Sequence, residues 1–222
     1  MDQTVRAPRK RASKQGTDVR REQLAQAALD LIGSQGLKGL NIGAVAQRVG
    51  IVPSGVYKHF RDREELVDAA LDLIGERLAG NVGLVCGEAD DPVECLGRLA
   101  ERHLQLIQLS KGIPRVAFSD DVYLGRPDRK AKVYGFVRRY LDAVADLVRR
   151  GQSSGRLRPE LDPDTVAVLF LGLVQPVGIL WHLSDGTFDA KTRLGDAWRI
   201  FASDVLRKPT KRPVGRARGD KR

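Results

Sequence analysis

The stretch NIGAVAQRVGIVPSGVYKHFRDREEL, residues 41–66, constrains the chain more than any other. Ala46 lies among Ile42, Val45 and Val49, and Gly50 follows four residues after it. Two short helices crossing near a right angle need a small side chain at their closest approach and a turn residue that tolerates positive φ. Ala46 and Gly50 supply these. Asn41 can cap the first helix through its side-chain oxygen, and Pro53 suits the first turn of the second, where no N–H is needed. The stretch reads as a helix-turn-helix of the kind that reads DNA.

The second helix is expected from Pro53 to about Phe60, with Val56 and Phe60 turned to the core. Its other face carries Ser54, Gly55, Tyr57, Lys58 and His59. Tyr and Lys donate to phosphate oxygens, Ser and His do so or reach a base edge, and glycine lets the backbone approach closely. Arg61 and Arg63 extend the positive charge. Asp62 with Glu65 three residues on forms a capping-box pattern that starts another helix and sets Arg63 in its first turn, beside the groove. An ordinary α-hairpin inside a core would satisfy the same small-residue spacing.

The run GIVPSGVYKHF, followed by REEL, resembles the N-terminal domain of TetR-type transcriptional regulators. Their usual form is G-[VI]-x-x-x-x-[LV]-Y-x-H-F and then [KR]-E-x-L, which Gly50, Tyr57, His59, Phe60, Arg63, Glu64 and Leu66 match. Gly43 stands where many relatives carry a longer polar or basic side chain, and Val52 where Ser or Ala is common. Both departures bear on which operator is read. Asn41, Ile42 and Gly43 at the start of the first helix complete the expected DNA face, with Arg20 and Arg21 brought to the same end by the preceding helix.

The 222 residues, 42% hydrophobic and 30% charged, are enough for one or two globular domains with a sizeable core. The net charge of +10 is unevenly spread. Residues 1–21 hold seven basic and two acidic side chains and residues 207–222 hold eight and one, so the body between them is nearly neutral. The high pI therefore describes two tails, whereas a non-specific architectural DNA protein would spread its charge over the body. Residues 1–17 and 207–222 are expected to be a disordered basic arm and tail. Cys86 and Cys95 form no CxxC, and no histidine has metal-ligand spacing, so neither a disulfide framework nor a metal site is expected. His59, His103 and His182 sit in separate helices, with no nucleophile elbow or phosphate loop, so neither an enzyme nor a bound cofactor is expected. With no apolar leader at the start, and no run read as reaching the roughly 18 to 20 apolar residues that span a bilayer, a cytoplasmic chain without a membrane partner is expected.

Helical periodicity extends throughout and strand alternation is absent, so the expected fold is all-α with about nine helices. Leu24, Ala27, Ala28, Leu31 and Ile32 predict a first helix over 18–35, stopped by Gly36. Its stripe should pack on Val45, Val49, Val56 and Phe60, since two short helices cannot build a core alone. A fourth helix is expected over 63–84, then helices over 92–110, 114–119, 128–151 and 189–206. Residues 166–183 are apolar almost all round, which a surface helix is not, so this segment should be buried on two sides.

The organisation implied is a DNA-binding domain over 18–78 and a ligand-binding and dimerising domain over 79–206. The family resemblance, clear over about residues 18–80, implies a homodimer whose last two helices form a four-helix bundle. It also implies double-stranded DNA with a pseudo-palindromic operator as partner, and a small-molecule effector that releases the protein. Leu173, Val177, Leu194, Trp198, Phe201 and Val205 are the candidate dimer residues. For the effector, bulky and polar groups on apolar faces point to His103, Tyr140, Phe170, Gln175 and Trp181, with Pro176 expected to kink its helix and free a carbonyl nearby. A lone His103 on such a face also suits an ordinary satisfied core histidine. The apolar character of the region favours a hydrophobic or amphipathic effector.

Overall fold

Helix starts in this chain follow from a recurring local device. Asn41, Asp62, Asp91, Asp162 and Asp189 each accept a backbone N–H two or three residues on, from Ala44, Glu65, Val93, Thr165 and Thr192. Each cap stabilises its helix by about 1 kcal/mol. Proline occupies the first turn at Pro53, Pro92, Pro127 and Pro163. A computed structural model describes residues 14–110, 112–117 and 119–206. Its ten helical segments are α1 (Lys14–Gly39), α2 (Ile42–Val49), α3 (Pro53–Val56), α4 (Arg63–Glu88), α5 (Pro92–Leu109), α6 (Gly112–Ala117), α7 (Asp120–Tyr123), α8 (Pro127–Ser153), α9 (Pro163–Leu183) and α10 (Ala190–Val205). The fold is all-α: among the described residues the one β feature is an isolated antiparallel bridge between Leu157 and Leu206.

Several boundaries differ from the sequence reading. The helix α1 begins at Lys14 rather than 18, taking residues 14–17 out of the expected arm, and leaves helical geometry at Gly36 (φ 72°, ψ 177°). Residues 1–13 and 207–222, where the remaining arm and the tail were expected, lie outside the described residues. The segment α3 is shorter than 53–60, although Tyr57, His59 and Phe60 continue it with turn bonds back to Pro53 and Val56. The helix expected over 114–119 is present as α6, shifted two residues toward the N-terminus, and a further short segment, α7, follows it.

Among the described residues one hydrophobic cluster runs from Leu24 to Val205. Leu24, Ala28 and Ile32 of α1 join Val45, Ala46, Val56 and Phe60 in the head, and Leu99, Val144, Phe170 and Val174 continue the cluster through the body. The helix α9 lies against α8, α5 and α10. With a mean hydropathy of 1.9 over an 18-residue window, α9 is long and apolar enough by composition to cross a bilayer, which corrects the sequence reading of run lengths. Only 33% of that window is buried within the chain, so the expected burial on two sides is met on one side only. Pro176 does not end α9, and both Pro176 and Gly172, whose carbonyl loses its partner, are exposed. The freed carbonyl thus lies on the outer face, not near the expected pocket.

Two contacts tie the head to the body. Gly112 at the start of α6 lies so close to α1 that a Cβ there would stand 2.1 Å from the Leu29 carbonyl oxygen. At the start of α8, Arg129 is 2% exposed. Its guanidinium donates to Asp68 at 2.7 Å and to the Glu64 carbonyl at 2.9 Å, and pairs with the Glu64 carboxylate at 2.9 Å. Arg126 stands 3.4 Å from the same two carboxylates, and Lys132 pairs with Asp72 at 2.8 Å one turn further along α4.

Candidate nucleic-acid interface and effector region

The reading head is built from its caps inward. Asn41 holds the start of α2 through the Ala44 N–H at 2.8 Å and donates to the Gly39 carbonyl at 3.3 Å. Gly50 ends α2 in the left-handed region (φ 72°, ψ 35°), where a side chain would be strained. Its N–H and that of Ile51 return to the carbonyls of Gln47 and Ala46. The chain then turns so that Val45, Ala46 and Val56 meet in the interior, all at most 1% exposed.

What remains outside is a compact polar face with an apolar edge. Ser54, Tyr57 and Lys58 are exposed, Tyr57 by 57%, together with Gly43, Pro53 and Val52. Ser54, Tyr57 and Lys58 can supply two hydroxyls and an ammonium to a phosphate-lined groove. His59 is half-buried, and its Nδ1 is buried with no hydrogen-bond partner among the described residues. Burial, then the charges of Arg21, Arg20 and Lys58, hold its pKa below the ordinary histidine value, so at neutral pH it is a neutral polar group rather than a cation. Gly55 is half-buried, with its Cβ position 3.2 Å from Ile51 Cδ1. A side chain there would press on the turn, so the glycine serves the packing of α3 against Ile51.

Four of the expected DNA contacts have partners within the chain. Arg21 donates to the His59 carbonyl, pairs with Glu65 at 3.5 Å and stacks over Phe60, 4.3 Å from the ring centroid. Arg63 donates to the carbonyls of Leu40 at 2.8 Å and Leu37 at 2.5 Å. The Leu37 carbonyl also accepts the Leu40 N–H at 3.2 Å, and the guanidinium, with five donors, covers the carbonyls at the C-terminal end of α1. Asn41 is occupied by capping, and Ile42 packs against the core. Arg20 lines an open cleft of about 640 Å³ with Asp30, Arg48 and Arg77.

The five expected effector residues do not converge. His103 Nδ1 and the Tyr140 hydroxyl are 3.1 Å apart, with the rings edge to face at 5.2 Å. Burial pushes His103 down to about 4 and Tyr140 upward, so both are neutral at physiological pH. The pair is a satisfied polar link between α5 and α8. Phe170 is fully buried and stacks edge-on with Phe201 at 6.3 Å. Trp181 lies eleven residues along α9, about 16 Å away, under the turn at Gly186. Gln175 is half-buried between them in sequence. Ser110, at the end of α5, was missed: its hydroxyl is buried with no hydrogen-bond partner among the described residues, and nothing in the local pattern marks it. A cleft of about 620 Å³ opens between α1, α4 and α5, lined by Leu73, Asn81, Leu84, Arg102 and Leu106 among others.

Of the expected dimer residues, Val177, Leu194 and Val205 are 8%, 3% and 6% exposed and belong to the chain's own core. Trp198 and Phe201 stack on each other at 5.7 Å and, with Leu173, are half-buried. The exposed apolar side chains of these helices are others: Val168 (57%), Leu169 (58%), Leu180 (47%) and Leu183 (72%) on α9 and Ile200 (69%) on α10.

Comparison with known proteins covers both halves of the chain. Residues 24–76 match the model of "Bacterial regulatory proteins, tetR family", and residues 89–203 match "Tetracyclin repressor-like, C-terminal domain". The HTH-type transcriptional repressor KstR2 of Mycolicibacterium smegmatis is 25% identical over 182 residues, covering 78% of this chain and 83% of that protein. The HTH-type transcriptional regulator TtgR of Pseudomonas putida is 28% identical over 213 residues, covering 89% and 96%. Among solved structures, the transcriptional regulator FadR from Bacillus subtilis in complex with stearoyl-CoA superposes with a TM-score of 0.68 at 16% identity, covering 82% of this chain and 98% of that one.

Proposed function

We propose, from the premise that this chain belongs to the TetR family of bacterial transcriptional regulators, that it is a homodimeric repressor that a small effector releases from a pseudo-palindromic operator. The chain is a DNA-binding transcriptional regulator and not an enzyme. It acts where the DNA is, in the cytoplasm.

The observation that carries the reading is the exposed Ser54, Tyr57 and Lys58 face, held rigidly by the buried Val45, Ala46 and Val56 behind it. A second copy is supported by the unpartnered apolar face of Leu169, Leu180, Leu183 and Ile200, since large contiguous apolar patches mark interaction surfaces. Two heads held about one helical turn of DNA apart, or somewhat more, read a pseudo-palindrome. Release follows from the double attachment of the head, through Gly112 against α1 and Arg129 against α4. An effector that prefers another arrangement of the body weakens operator binding by its differential affinity for the two arrangements. The apolar interior favours a hydrophobic or amphipathic effector, and the same fold holds stearoyl-CoA in the FadR structure.

The test is binding to tiled DNA fragments from upstream of the protein's own gene and its neighbours, at near-physiological salt. A single palindromic footprint lost in the Tyr57→Ala, Lys58→Ala double variant is expected. Uniform weak binding, indifferent to that variant and steep in salt, refutes a sequence-specific regulator working through α3.

A further inference from the structure

Val52 breaks a local rule with no return inside the chain. It is the N-cap of α3, a position favoured by Ser, Thr, Asp and Asn because their oxygens accept an orphan N–H, and Val52 makes no such bond. Nor does it gain burial, being 66% exposed. Its backbone is extended (φ −81°, ψ 151°), the region to which the following Pro53 restricts it, so the isopropyl group has a fixed place at the rim of the helix. Pro53 is exposed beside it, and together they make an apolar edge next to Ser54, Tyr57 and Lys58. Violations of local preference without internal compensation concentrate where a partner supplies the compensation.

We infer that Val52 is a specificity-determining residue that packs on the C5-methyl group of a thymine in each half-site of the operator. The inference rests on the DNA-reading function proposed above and deepens it. The N-terminal residues of a recognition helix meet base edges in the major groove, and Val52 stands at that end of α3. It has neither donor nor acceptor, so phosphate oxygens and the hydrogen-bonding edges of bases offer it nothing. The apolar group displayed in the major groove is the thymine methyl. Serine at this position would cap the helix but would leave that methyl without an apolar neighbour.

Operator duplexes selected from a random-sequence library with the full-length protein, and separately with Val52→Ala and Val52→Ser, provide the test. Each thymine of the selected duplex is then replaced by deoxyuridine, which deletes only the methyl. One symmetric pair of thymines should emerge whose replacement weakens wild-type binding about fourfold each and about fifteenfold together, the worth of roughly one buried carbon per half-site. The same replacements should leave Val52→Ala and Val52→Ser nearly unaffected, and both variants should select duplexes without a preference at those positions. Val52→Ser should melt at least as high as wild type, which separates lost reading from lost folding. Retention of the same thymines and the same deoxyuridine penalties in both variants overturns the inference while leaving the regulator reading intact. A wild-type selection with no enriched sequence overturns both.

Discussion

Replacing Arg129 by methionine keeps most of the side chain's volume and removes its charge from a position only 2% exposed. Three interactions are lost: Asp68 at 2.7 Å, the Glu64 carboxylate at 2.9 Å and the Glu64 carbonyl at 2.9 Å. Removing one partner of a buried ion pair costs about 3 to 5 kcal/mol, chiefly because the other charge is left buried and unpaired. Here the abandoned carboxylates are not sealed in. Their side chains are 28% and 43% exposed and Arg126 stays 3.4 Å from each, so water and a second cation cover part of the loss. The expected destabilisation is therefore about 2 to 3 kcal/mol, below the usual range for a sealed pair. Urea unfolding at fixed protomer concentration should show the midpoint falling by about 1 M at unchanged slope. Arg129→Lys, which keeps the charge but not the planar fork, should fall between the two. A loss below about 0.5 kcal/mol for Arg129→Met, the range of ordinary surface substitutions, would refute the view that this arginine fastens α8 to α4.

If the proposed dimer forms through this face, Leu180→Glu combined with Leu183→Glu should give monomer where the wild type sediments as a dimer at micromolar concentration, because the added charges would be buried at the interface; a dimer that persists places the interface elsewhere. For His103 the sign follows from a folded pKa of about 4 against 6.5 unfolded. Its contribution is complete above pH 6.5 and declines as the pH falls toward 4, where the unfolded chain binds a proton the native chain refuses, for a total of about 3 kcal/mol. His103→Gln should flatten that part of the stability profile, as read by denaturant titrations between pH 4 and 7; an unchanged profile would mean that His103 titrates normally.

What could be read from sequence was what short-range chemistry decides. Asn41, Gly50, Pro53 and Asp62 act within four residues of themselves, and their caps and turns stand in the structure where their residue types put them. The intramolecular partners of Arg21 and Arg63 were not legible, because charge and helical position do not tell where a long side chain is drawn. The carbonyls of Leu37 and Leu40 that attract Arg63 are 26 and 23 residues away. Arg129 offered no pattern either, since its partners Glu64 and Asp68 precede it by more than 60 residues. In α9, periodicity cannot say which side of an all-round apolar helix meets its own chain. Val177 turned inward and Leu180 outward, three residues apart.

The missing side chain at Gly112 has a bearing on how such regulators can be recombined. Because α6 nests against the Leu29 carbonyl, α1 belongs as much to the C-terminal domain as to the reading head. A chimera that joins this head to a foreign body inherits half of a fitted joint. If the donor presents even an alanine where Gly112 sits, the graft meets the α1 backbone rather than a yielding side chain, so successful exchanges must carry α6 along with the head.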